Sequence, residues 1–218
     1  MKNKISTIKV VNRFSWHKNP GDFAEKHVRS KYFKDIGFGF RKIRKDKKGK
    51  KPEGYILGTA GKRIALVEIK LITRQKRARG VHIITLDETI RKAIKKAKVQ
   101  LRTINSNLPK IIYIIRDDVF LKPETLRWAL FGKWMTVDRG GKTIFSGYSG
   151  FFPKNKEDNK FRDNLISAVV CYIPTLTNYS IWIYRNKNAP KIPNKLLDKK
   201  HLKEFWDYDS SGLEKISF

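Results

Sequence analysis

The sequence predicts an α/β (α+β) fold: a mixed β-sheet flanked by helices, its core ordered helix, three strands, helix, strand. Further strands and a closing helix follow that core. Three stretches predict it. Ile64–Ile72 is an apolar run rich in Ile, Leu and Val, interrupted only by Glu68 and Lys70, of the kind that forms a strand inside a sheet. Ile111–Ile115 is a second continuous apolar run, again suited to a buried strand. Between them Ile90, Ala93, Ile94, Ala97, Leu101 and Ile104 recur at helical spacing.

In chain order, Met1–Ser15 holds two short apolar runs and reads as an added strand or an arm. Pro20-Gly21-Asp22 opens a helix over Asp22–Asp35, with Asp22 as cap or first-turn acid. Ala24, Val28, Tyr32 and Ile36 form its stripe, and Glu25 falls within the stripe's arc. Gly37–Ile43 is the first core strand and Tyr55–Leu57 the second, joined through a turn at Thr59–Lys62 to Ile64–Leu71. The second helix spans Asp87–Asn105 and stops at Asn107-Leu108-Pro109. Beyond it, Lys122–Phe131 is a short helix with Pro123 in its first turn. Trp134–Asp138 and Lys142–Ser146 make a hairpin, Asn155–Asp163 a polar loop, and Leu165–Tyr172 and Tyr179–Tyr184 two more strands. Asn194–Tyr208 reads as the closing helix. The 218 residues suit a single domain, 1–218, with a core at 21–117 and a sheet elaboration at 118–218.

Candidate chemistry sits on the central strand. Side chains alternate along it, so Glu68 and Lys70 share one face while Val67, Ile69 and Leu71 take the other. A carboxylate and an ammonium on a half-buried strand cost free energy unless they are paired or used. The preceding hairpin brings Glu53 back beside Glu68, so two carboxylates and a lysine converge. Two carboxylates offer hard oxygen ligands to Mg2+ or Mn2+. Such an ion lowers the pKa of bound water and neutralises charge developing on a phosphate. The same acid-x-Lys spacing recurs at Asp46–Lys48, Asp158–Lys160 and Asp198–Lys200, but in polar stretches where it reads as solvated charge. An ion pair on an edge strand is the alternative for Glu68 and Lys70.

Pro52 and Glu53, followed by Glu68, Ile69 and Lys70, resemble the motif of the PD-(D/E)XK nuclease superfamily, which includes many restriction endonucleases and Holliday-junction resolvases. The resemblance implies a restriction-endonuclease-like αβββαβ core over Gly21–Asp117, less than half of the chain. It also implies metal-dependent hydrolysis of phosphodiester bonds, with Glu53 and Glu68 holding Mg2+ or Mn2+ and Lys70 orienting the nucleophile or holding phosphate. The first acid is Glu53, where the family usually has Asp. Some members add an acid from the first helix, which Glu25 would supply. Several place a Gln on the second helix at the edge of the site, a position matched by Gln100. Each has a plainer alternative: Glu25 as a partner for Arg29 or a lysine, and Gln100 as a boundary residue beside the apolar stripe.

Charge points to the partner. A net +29 acts on association rather than on fold, and nucleic acid, DNA above all, is the polyanion it suits. Arg41, Lys42, Arg44, Lys45, Lys47 and Lys48 lie in a run with eight basic residues among the eleven at 41–51. Arg74, Lys76, Arg77 and Arg79 follow the central strand, and Arg91, Lys95, Lys98 and Arg102 form a row on the second helix. Two basic loops entering and leaving one motif would line a phosphate-binding groove. Tyr148, Phe151 and Phe152 are candidate base-stacking aromatics or a local hydrophobic anchor.

Other classes fail. A lone cysteine, Cys171, excludes an intrachain disulfide and a cysteine metal cluster. His17, His27, His82 and His201 lack zinc-ligand spacing, and no Gly-x-Ser-x-Gly elbow occurs. Gly141-Lys142-Thr143 lacks the earlier glycine of a phosphate loop, that position being Thr136. No signal peptide or membrane-spanning run is visible, so the expected setting is cytoplasmic with no membrane partner; a homodimer remains open. Two functions therefore survive: a metal-dependent nuclease, and a catalytically weak or inactive nuclease-fold protein that binds nucleic acid through its basic loops.

Overall fold

A computed structural model describes residues 19–44, 51–72, 86–116, 123–137, 143–148, 164–174, 178–197, 200–208 and 213–217. The expected arm at Met1–Ser15, the loop at Asn155–Asp163 and the aromatics Phe151 and Phe152 lie outside these residues. So do Lys45, Lys47, Lys48, Arg74, Lys76, Arg77 and Arg79.

The first helical segment begins at Pro20, two residues before the expected start, with Pro at a first-turn position where its missing N–H costs nothing. It comprises α1 (Pro20–His27), a π-helical turn (Val28–Tyr32) and α2 (Phe33–Asp35). The widening has a local cause. Arg29 Nε donates to the Glu25 carbonyl (3.2 Å) and Ser30 Oγ to the Lys26 carbonyl (2.7 Å). These side-chain donors compete for carbonyls that a regular helix would use. Gly37, at φ 78°, ends the segment. The N–H of Phe38 reaches Phe33 O (2.8 Å) and that of Gly37 reaches Lys34 O (3.0 Å), the crossed pair of a glycine-terminated helix.

Strands β1 (Gly39–Lys42), β2 (Gly54–Leu57) and β3 (Arg63–Ile72) follow as an antiparallel meander. Helix α3 (Leu86–Arg102) then crosses to β4 (Lys110–Arg116), which pairs parallel to β3. The helix stops three residues short of the expected Asn105. There the Thr103 hydroxyl (2.7 Å) and N–H (3.2 Å) both take the Gln100 carbonyl. Helix α4 (Pro123–Phe131) and the hairpin of β5 (Lys133–Val137) and β6 (Thr143–Tyr148) come next, as expected. Strands β7 (Ala168–Pro174) and β8 (Tyr179–Asn186) extend the main sheet, β7 parallel to β4.

The expected closing helix Asn194–Tyr208 is overturned. A short 3-10 turn occupies Asn194–Leu196, and Leu202–Tyr208 is strand β9, parallel to β8, followed by β10 (Leu213–Ile216). The edge of β8 needs a partner, and the aromatic-rich segment around Phe205, Trp206 and Tyr208 suits a pleated surface. Buried Asp207 locks the register through a bidentate pair with Arg185, both contacts at 2.7 Å.

The main sheet is eight-stranded and mixed, ordered β1-β2-β3-β4-β7-β8-β9-β10. One face packs Val67, Ile69, Tyr113 and Tyr172 under Ala24, Val28, Tyr32 and Phe33 of the first helical segment. The other packs Leu66, Ile112, Ile114 and Val169 under Ile90, Ile94, Ala97 and Leu101 of α3. Among the described residues no helix is long and apolar enough to cross a membrane.

Gly54 sets how closely β1 approaches. A Cβ there would lie 2.4 Å from Phe40 Cζ and 2.5 Å from the Arg41 carbonyl oxygen. The second obstacle is backbone and cannot swing aside. Gly54→Ala is expected to destabilise the fold by about 1–3 kcal/mol, a fall of several degrees in melting temperature. An unchanged thermal transition would show that β1 shifts freely.

Candidate active site

Antiparallel pairing sets Gly54 opposite Val67, so the chain just before β2 passes beside Glu68. The Glu53 N–H donates to Glu68 Oε2 at 2.7 Å. The other oxygen of Glu68 accepts from Lys70 Nζ, two residues along the same face. Lys70 Nζ also donates to Gln100 Oε1 (2.7 Å) on α3, and Gln100 Nε2 turns to the Lys51 carbonyl (3.3 Å). A closed polar ring thus links both ends of the 51–53 segment to β3 and α3. Glu53, Glu68 and Gln100 are buried, and Lys70 is largely so.

Glu53 is served from the opposite helical layer. Arg29 Nη1, from the π-helical turn, stands 3.7 Å from Glu53 Oε1, and Lys42 Nζ, from β1, stands 3.4 Å from it. The sequence offered Arg29 as a partner for the Glu25 side chain. The structure instead gives it the Glu25 main-chain carbonyl and the Glu53 carboxylate. Among the described residues, Arg29, Lys42 and Lys70 thus face the two buried acids.

Burial dominates the ionisation of Glu68 and pushes its pKa above the ordinary carboxylate value. The charge and hydrogen bond of Lys70 and the Glu53 N–H pull it down, and the Glu53 charge pushes it up again. Because the folded-state pKa is raised, the Glu68 contribution to stability is fully present below the unfolded value. It is lost as pH rises through the folded value. Relative to the parent, Glu68→Gln should therefore gain melting temperature as pH rises above the ordinary carboxylate range. A difference between the two proteins that stays flat over that rise would contradict this.

The sequence-predicted residues divide cleanly. Glu53, Glu68, Lys70 and Gln100 meet. Half-buried Glu25 lies one helical turn before Arg29 and enters through its carbonyl. Arg41, Lys42 and Arg44 are exposed on and just after β1, and Lys42 reaches Glu53. On α3, Lys95 and Arg102 are exposed, whereas Arg91 and Lys98 are partly buried. Sequence reasoning missed the place of Arg29 and Lys42 at Glu53, and of Phe40, whose ring lies 5.5 Å from the Arg29 guanidinium carbon.

The donor set fits a small hard cation. Among the described residues no group of three or more His, Cys, Asp and Glu side chains gathers as a metal cage. Mg2+ does not require one: it keeps several waters and takes one or two carboxylates plus phosphate oxygens. Glu53 and Glu68 are two buried acids made neighbours by the bond from the Glu53 main-chain N–H to the Glu68 carboxylate, which is a donor set of that type, and half-exposed Lys42 can swing away. No protein-family model, curated protein or solved structure matches the chain.

Proposed function

We propose that the chain is a metal-dependent nuclease of the PD-(D/E)XK type, hydrolysing phosphodiester bonds in nucleic acid, with DNA as the expected substrate. One observation carries this reading: Glu68 is bonded at one oxygen by Lys70 and at the other by the Glu53 N–H. The two halves of the motif, fifteen residues apart in sequence, are thereby held in one polar cluster. The element order from α1 to β4, with the meander β1-β2-β3 and β4 parallel to β3, supports a restriction-endonuclease-like core.

Glu53 and Glu68 would hold Mg2+ or Mn2+, which when bound supplies an activated water and neutralises charge on the phosphate. Lys70, kept in place by Gln100, presents an ammonium beside Glu68, where it steadies the attacking oxygen or a non-bridging phosphate oxygen. The exposed bases Arg41, Arg44, Lys95 and Arg102 supply sequence-independent grip on the backbone.

A binding-only role is the second reading. It is favoured by Glu53 in place of Asp and by the three cations that already neutralise the two acids. Incubating plasmid, linear and branched DNA, and a structured RNA, at low salt decides between them. Cleavage in Mg2+ or Mn2+ that chelator abolishes supports the nuclease. Retention of nucleic acid without cleavage in any metal supports the binder.

A further inference from the structure

We propose that Arg29 is a further residue of this site: its guanidinium neutralises Glu53 until a divalent ion arrives, and thereafter takes a phosphate oxygen of the nucleic-acid strand. The inference rests on the metal-dependent reading above and adds the group that couples metal entry to substrate.

Arg29 is built into place rather than merely nearby. Its Nε is tied to the Glu25 carbonyl at 3.2 Å, and its guanidinium lies over the Phe40 ring at 5.5 Å. Phe40 is itself fixed, stacked on Phe33 at 5.7 Å and pressed against Gly54. The π-helical turn that carries Arg29 widens the helix at this one point, a local irregularity found often at functional sites. Yet Nη1 stops 3.7 Å from Glu53 Oε1, beyond hydrogen-bond distance. The contact is a charge contact, which a divalent ion bound to the same carboxylate outcompetes. Arg29 also keeps about a fifth of its side chain in solvent (21%), so a strand lying across the site can reach it. A guanidinium held by its stem, with its fork aimed at a metal-binding carboxylate, is suited to a phosphate that bridges metal and arginine. Lys42 shares the neutralising role but is 49% exposed, and among the described residues nothing comparable holds it in place.

Two titrations of the full chain test this, on parent, Arg29→Met and Arg29→Lys. In the first, Mn2+ alone is added by calorimetry. Removing a competing charge should make Arg29→Met bind Mn2+ roughly tenfold more tightly than the parent. In the second, a short DNA duplex is titrated in Ca2+, as a non-catalytic ion, and again in chelator. Arg29→Met should lose roughly tenfold in duplex affinity in Ca2+ and little in chelator, where the parent's guanidinium is occupied by Glu53. Arg29→Lys, which keeps the charge and tests the idea if the methionine variant does not fold, should lose the Ca2+-specific part as well. Equal Mn2+ affinities, or duplex losses of equal size with and without Ca2+, overturn the inference and leave the nuclease reading intact. Absence of Mn2+ uptake by both parent and Arg29→Met removes both.

Discussion

Lys70→Ala is expected to slow single-turnover DNA cleavage in Mn2+ by about 10^2–10^4-fold, the range for losing a positioned proton-transfer or charge-stabilising group. Among the described residues its ammonium is the cation bonded to Glu68, and Gln100 holds it from α3. Lys70→Arg should not restore the rate. A bulkier planar guanidinium, with its donors fixed in a fork, cannot meet Glu68 Oε1 and Gln100 Oε1 as a compact ammonium does. Glu68→Ala should match or exceed the Lys70→Ala loss, because it would remove a proposed metal ligand together with the acceptor of the Glu53 N–H. Both variants should hold duplex DNA in chelator nearly as the parent does, since exposed bases elsewhere carry that affinity. Parallel losses of rate and metal-free affinity would assign these residues to folding rather than to chemistry.

The second large effect is on salt dependence. Neutralising Arg41, Arg44, Lys95 and Arg102 together should lower the slope of log affinity against log salt by about 0.9 for each duplex phosphate the protein no longer neutralises. All four lie exposed on or just after β1 and on α3, the two elements that supply Lys42 and Gln100 to the site. Affinity at low salt should fall steeply while the thermal transition moves little, as these side chains bury little. A slope unchanged by the four substitutions would show that the charges are merely solvated.

How far the sequence foretold this depends on the element. Ile64–Leu71 was legible because a dense aliphatic run broken at alternate positions by Glu68 and Lys70 leaves one pattern that buries the apolar face, and β3 covers Arg63–Ile72. Glu53 was legible beside Glu68 because a short hairpin fixes register. Leu202–Tyr208 was not. Leu202, Phe205 and Trp206 imitate helical spacing, and tertiary pairing, with the edge of β8 and through the Arg185–Asp207 pair, decides for a strand. Arg29 was half legible: its spacing from Glu25 was visible. Its use was not, because the π-helical turn arises from side-chain competition for carbonyls that residue periodicity does not report.

In the proposed site Glu53 and Glu68 together hold one divalent ion. Mapping with Fe2+ and ascorbate tests it most directly, since the bound ion cuts the polypeptide where it sits. Main-chain cuts are expected near residues 53 and 68 that excess Mg2+ suppresses and that Glu53→Gln and Glu68→Gln each abolish. Cuts confined to other parts of the chain, or cuts at these positions that survive both substitutions, would contradict it.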